Sequence, residues 1–226
     1  MTFLQLVQRV CRHANYKVAS ATTSQSGMAE KVVEWVNLSW LEIQGLRQWD
    51  WMYAAMSSAT TSTDTTDYAA PSDIGHWDLD AFKIYETSLG VSDQGFLKFK
   101  PWDEFETAHG LGTSDSGKPS VVTIVPWNKY IRLEVPPDSS GYTIDGYYWK
   151  TPTELSGDSD EPETPDAFEQ LIIYKTMMHV ADFEESDRMM RSAITNYERI
   201  MAQVMGSELP DMRIGASPLG GRYVRV

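Results

Sequence analysis

Cysteine is almost absent from this 226-residue chain, basic residues are scarce, and no long apolar run occurs in it. The single cysteine, Cys11, excludes an internal disulfide. It reads as a small buried residue on a helix, because nothing local would lower its pKa toward that of a nucleophile. No stretch approaches the ~20 apolar residues that a membrane span requires. Gln5, Gln8 and Arg9 interrupt the apolar residues of the N-terminus, so a secretory signal is not expected. With 19 Lys and Arg against 32 Asp and Glu, the formal net charge is −13. That balance argues against groove or backbone binding of nucleic acid. It leaves open a surface that DNA must pass without adhering.

Catalytic signatures are missing as well. His13, His76, His109 and His179 are widely separated, and His179 with Asp182 falls short of a closed metal site. Gly110-Leu111-Gly112 lacks the third glycine and the following helix of a dinucleotide site, and Gly117-Lys118-Pro119 cannot open a P-loop helix. No Gly-x-Ser-x-Gly elbow is present. The best paired carboxylates are Asp103, Glu104 and Glu106, but no apolar pocket is indicated that would raise one of their pKa values. A capped helical turn beginning at Pro101 accounts for them. No cofactor and no metal are expected.

What is present is a long apolar helix. From Gly27 the positions Met28, Val32, Val36, Trp40 and Ile43 recur at helical spacing. Val33, Trp35, Leu38, Leu41 and Leu46 widen the stripe until only Glu30, Lys31, Glu34, Asn37, Glu42 and Gln44 remain for water. So broad an apolar surface must be enclosed. Part of it, Trp35 or Leu38 foremost, is expected against the β-domain or a neighbouring subunit. Ser26 is the expected N-cap. Before this helix, Thr2-Phe3-Leu4-Gln5 has the form of a capping box, followed by a face of Phe3, Leu6, Val7, Val10 and Ala14. The two helices make an αα-hairpin.

Past Leu46 apolar residues alternate, and from Met52 to Thr151 the texture is aromatic and β-branched, punctuated by Gly, Pro, Asp and Ser. Strands are expected at 51–59, 80–88, 95–100, 120–125, 129–135 and 142–150, with 57–67 as a loop or hairpin tip. Val121 to Val125 should pair with Tyr130 to Glu134 across Pro126-Trp127-Asn128. Thr164-Pro165 announces a third helix, with Thr as N-cap. A fourth begins near Ser186 and stops at Gly206. Arg9, Arg12 and Lys17 precede any acidic residue, whereas 153–169 holds seven carboxylates and no base. These stretches are either solvated or meet across a subunit contact.

The expected fold is therefore α+β. A helical bundle is built from residues 1–52 and 164–206, with an antiparallel β sandwich or barrel-like domain, 53–152, inserted between its halves. An acidic linker, 153–163, and an extended C-terminal tail, 207–226, complete the chain.

The succession of Trp35-Val36-Asn37, Trp40, Ile43-Gln44 and Trp49-Asp50-Trp51, a β-rich middle, and Pro162-x-x-Pro165-x-x-Phe168 opening paired helices resembles the head-to-tail adaptor proteins of tailed phages. Lys118-Pro119 before a strand and Tyr147-Tyr148 leading to Pro152 extend the likeness over nearly the whole chain. It contains no catalytic motif. The resemblance implies a structural virion protein, made in the host cytoplasm and placed at the head-to-tail junction. It further implies a dodecameric ring that docks on the portal protein, extends the channel for double-stranded DNA and offers its far side to the next tail component, a nozzle or tail tube. No membrane is involved. An acidic wall suits such a channel, because it keeps packaged DNA from adhering. The candidate contacts to the portal or a neighbouring subunit are Arg213, Arg222, Tyr223, Val224, Arg225 and Val226; the last five alternate basic and apolar residues, a pattern able to add as a strand to a partner's sheet edge. Two other classes stay open: a carbohydrate- or receptor-binding β module, motivated by the aromatic residues, and a hydrolase using Asp103, Glu104 or Glu106.

Overall fold

The computed structural model describes residues 1–110, 116–138 and 141–208. These form two units: Met1–Ile43 together with the chain from Leu155 onward, and Gln44–Glu154. The fold is α+β.

The first unit is helical. Helix α1 (Phe3–His13) opens on the expected capping box, the Thr2 hydroxyl accepting from the Gln5 amide and the Gln5 side chain from that of Thr2. Phe3, Leu6, Val7, Val10 and Cys11 point inward. Helix α2 (Met28–Gly45) starts one residue later than expected. Gly27, at φ +65°, takes the cap position in place of Ser26, and its carbonyl accepts the Lys31 amide. Val32, Val36, Trp40 and Ile43 are buried, each worth about 1.5–3 kcal/mol relative to exposure. Trp35 packs its ring 5.6 Å from Phe183 of the same unit, whereas Leu38 stays 43% exposed.

Helix α4 (Gln170–Phe183) begins later than Thr164-Pro165 suggested. Thr164 is buried, Pro165 leads into a 3-10 turn over Asp166–Phe168, and the α-helix follows. The Thr176 hydroxyl, fully buried, bonds to Ser39 of α2 and to the Ile172 carbonyl. Lys175 pairs with Glu42 at 2.8 Å. Glu185, at φ +51°, turns the chain into helix α5 (Asp187–Glu208). Gly206 does not stop this helix, which continues to Glu208.

The residues leading into α4 pack onto the start of α1. The Phe3 and Leu4 amides donate to the Asp160 and Asp158 carbonyls. The Asp158 carboxylate accepts from the Thr22 amide and hydroxyl, and that of Asp160 from Ser156 and Gly157. Both carboxyls consequently sit below their ordinary pKa, chiefly through the Thr22 hydroxyl for Asp158 and the Gly157 amide for Asp160.

The second unit holds three sheets. Strand β1 (Tyr53–Ala55) pairs with β11 (Tyr147–Lys150), which pairs with β4 (Ile74–Trp77). A second sheet runs β2 (Ala59–Thr60), β10 (Tyr142–Asp145), β5 (Lys83–Glu86) and β6 (Gly95–Phe96). A third runs β3 (Asp67–Tyr68), β9 (Ile131–Leu133), β8 (Val121–Ile124) and β7 (Lys98–Phe99). Residues 142–150, expected as one strand, are two strands in different sheets. They bend at Gly146, where a Cβ would lie 3.0 Å from the Phe82 ring. Residues 53–60 bend alongside in the same way, and β6 and β7 divide between the second and third sheets. Such sheet-switching strands make the corners of packed β-structures. Among the described residues no barrel closes. The pairing is antiparallel as expected except between β7 and β8, which run parallel. Phe82, Val122, Ile131, Leu133 and Ile144 fill the centre.

Gly75 on β4 shows how tightly the first sheet is drawn together. A Cβ there would meet the Trp149 and Lys150 carbonyls at 2.9 Å, both of them backbone atoms that cannot swing away. Gly75→Ala should cost about 1–3 kcal/mol, measured by chemical denaturation. A loss under ~0.5 kcal/mol would show that the strand pair yields without strain.

Candidate assembly surfaces

The Pro126-Trp127-Asn128-Lys129 turn between β8 and β9 does more than reverse the chain. Lys129 adopts φ +58°, its amide donates to the Val125 carbonyl at 2.8 Å, and the Tyr130 amide donates to Asn128 Oδ1 at 3.0 Å. Trp77 Nε1 donates to the Lys129 carbonyl at 2.8 Å, and Lys129 Nζ donates to the Ile74 and Gly75 carbonyls at 2.9 and 3.1 Å. The backbone of the turn is thus held at several points. At its tip Trp127 is 71% exposed, the one exposed tryptophan of the eight. Its ring stands edge-on to Trp102 at 5.2 Å. The Arg132 guanidinium lies 5.3 Å over Trp102 and is itself fixed to the Asp67 carboxylate by two bonds of 2.5 Å. A large apolar side chain presented on a rigid base, beside an arginine, has the make-up of an interface hot spot. Sequence reading treats Trp127 as part of a turn that blocks the strand. The signal available was its position, an indole where turns carry small polar residues.

The same unit exposes Leu89, Val91 and Phe96 around a 3-10 turn at Gly90–Asp93. Asp93 accepts from the Glu86 amide and pairs with Lys118 at 2.6 Å, which holds its carboxyl below the usual range. An open groove of about 760 Å³ is lined by Met52, Trp77, Leu79, Phe99, Ile124 and Trp149 among others.

Most other aromatic residues of the β-region serve packing. Trp49 and Trp51 stack at 4.3 Å, Tyr53 and Tyr147 at 5.4 Å, and Trp77 and Tyr148 are buried. Asp103, Glu104 and Glu106 all lie exposed on helix α3 (Trp102–His109), whose inward residue is Phe105. They sit in no enclosed pocket that would differentiate an acid from a base. His179 Nε2 lies 3.9 Å from Glu42, and burial pushes its pKa down against the pull of that carboxylate. Among the described residues no cluster of three or more His, Cys, Asp or Glu could hold a metal ion. No described helix is long and apolar enough to cross a membrane.

The polar residues of α2 have a role that periodicity hides. Asn37 Nδ2 donates to the Leu155 carbonyl at 2.8 Å and Asn37 Oδ1 accepts the Leu155 amide at 2.9 Å. In the second unit Gln44 makes the same pair of bonds with Thr153, at 3.0 and 3.1 Å. Neither side chain is given to water as expected. Arg213 and the run Arg222, Tyr223, Val224, Arg225 and Val226 lie outside the described residues.

No curated protein matches the chain significantly. The family model described as SU10 adaptor protein matches residues 1–220, which covers both units and every described element. The resemblance to head-to-tail adaptors therefore holds, and the chain belongs to the SU10 adaptor protein family as a structural adaptor of a phage virion.

Proposed function

We propose that this adaptor works as a dodecameric ring between the portal protein and the next tail component, extending the channel through which double-stranded DNA passes. The observation that carries the reading is Trp127, exposed on a turn whose backbone is fixed by its neighbours. A closed ring needs a repeating contact between unlike patches of the same surface. A preorganised indole supplies the apolar anchor of such a contact at little entropic cost. The net charge of −13 supports the channel role, since an acidic wall does not hold a polyanion. Purified protein, alone and mixed with portal, should give rings in negative-stain micrographs and a high-mass species by mass photometry. A monomer under both conditions would overturn the proposal.

The tail from 207 to 226, with Arg213 and Arg222–Val226, is proposed to grip the portal or an adjacent subunit by adding to a sheet edge. Truncation after Gly206 should weaken portal binding by at least ~10-fold in surface plasmon resonance, about 1.4 kcal/mol. Undiminished affinity would remove the tail from the interface.

A further inference from the structure

Residues 1–29 contain no acidic side chain, in a chain with 13 more acids than bases. Apart from Lys17, which follows the helix, the bases of that stretch gather on one face of α1. Arg9, Arg12 and His13 line an open concavity of about 680 Å³ together with Gln5 and Gln8. Among the described residues neither arginine forms an ion pair. Met1, which also lines the concavity, engages the Glu169 carboxylate through its N-terminal ammonium, and the carboxylates of Asp158 and Asp160 are engaged by Thr22, Ser156 and Gly157. The helix C-terminus accounts for a base in the last turn, where Arg12 and His13 stand, but not for Arg9 one turn earlier.

The same unit carries the opposite pattern. Residues 161–166, Glu-Pro-Glu-Thr-Pro-Asp, hold three carboxylates and no base. Pro162 and Thr164 are buried, while Glu161 and Asp166 are exposed. The buried residues pin the segment, so Glu161 and Asp166 are presented from backbone held in place rather than from a loose loop.

Resting on the ring reading above, we infer that the basic face of α1 seats the acidic segment at 161–166 of a second copy of this chain. The two patches are complementary in charge and different in identity, which makes the contact head-to-tail and able to repeat around a ring. Like charges on either side would oppose every other alignment of the two copies, so the contact fixes register as well as attraction.

Charge exchange tests the inference. Arg9→Glu with Arg12→Glu should weaken self-assembly by at least ~10-fold at ~0.1 M salt, and Glu161→Lys with Asp166→Lys should do the same. The variant carrying all four changes should recover assembly to within ~3-fold of the parent, because every contact is then reversed in sign. Salt should weaken the parent and the fourfold variant alike. Arg12, Glu161 and Asp166 are exposed and Arg9 is half-buried, and circular dichroism checks that each variant is folded. Rings that form in the parent and resist both reversals would overturn this inference while leaving the ring reading intact. So would a fourfold variant no better than either pair. Loss of portal binding with rings preserved would assign the basic face to the portal and overturn the inference too. A parent that stays monomeric both alone and mixed with portal would overturn both readings together.

Discussion

Asn37→Leu should lower the stability of the helical unit by about 3 kcal/mol, and in a chain of this size reduce Tm by roughly 6–12 °C. The leucine is close in size and a better helix former, so helix propensity alone predicts a gain. What is lost is the pair of bonds at 2.8 and 2.9 Å between the Asn37 amide and the backbone of Leu155. Leu155 is only 6% exposed, so its N–H and C=O would be left with poor access to water. Each such group costs about 1–3 kcal/mol when orphaned. Asn37→Asp keeps the acceptor for the Leu155 amide and loses the donor to its carbonyl, so it should fall between parent and leucine variant. Differential scanning calorimetry of the three proteins decides the matter. A drop of less than ~2 °C for the leucine variant would mean that the chain at Leu155 is held by its apolar contacts alone.

This residue also marks where sequence reading stops. Asn37 and Gln44 are seven positions apart and so share a face of α2, yet hydrophobic periodicity assigns any polar residue to water. An amide side chain can satisfy both groups of a passing backbone, which no period reports. The β-unit divides along the same line. The β8–β9 hairpin was legible because Pro126 and Asn128 interrupt alternating apolar runs, and its register, Val122 opposite Leu133, follows. Strands β3 and β4 were not, since Asp67–Tyr68 and Ile74–Trp77 are short and sit among Ser, Thr, Pro and Asp. They exist because their partners β9 and β11 take up their hydrogen bonds. The bend at Gly146 is hidden in the sequence for a related reason. Alternation continues across it, and only the ring of Phe82, distant in sequence, explains why no side chain fits.

Charge is legible in the sequence as a distribution and less so as structure. The acids near Leu155 have the composition of a linker, but Asp158 and Asp160 are drawn into local hydrogen bonds that order the approach to α4. These bonds stabilise the fold while the carboxyls are ionised. Because their pKa values are depressed, the contribution is present above the ordinary carboxylate range and fades as pH falls through the lowered values. The acids that remain on the surface are then available for contacts between subunits.

The largest effect on assembly is expected at Trp127. Trp127→Ala should weaken self-association by about 2–4 kcal/mol, from ~30-fold to nearly 1,000-fold, the range of an aromatic hot spot. The same change should leave Tm within ~2 °C of the parent, because a side chain 71% exposed contributes little to the core. Trp102 and Arg132 provide an internal comparison. Arg132→Ala removes the cation over Trp102 and the bonds to Asp67, loosening the base on which Trp127 stands without removing the indole. Its effect on assembly should have the same sign and be smaller, while Trp127→Phe should retain part of the affinity. Sedimentation equilibrium across a concentration series reads all three. If Trp127→Ala assembled like the parent, the exposed indole would have no part in joining subunits. A loss of assembly accompanied by a comparable fall in Tm would instead assign Trp127 to the fold of its own unit.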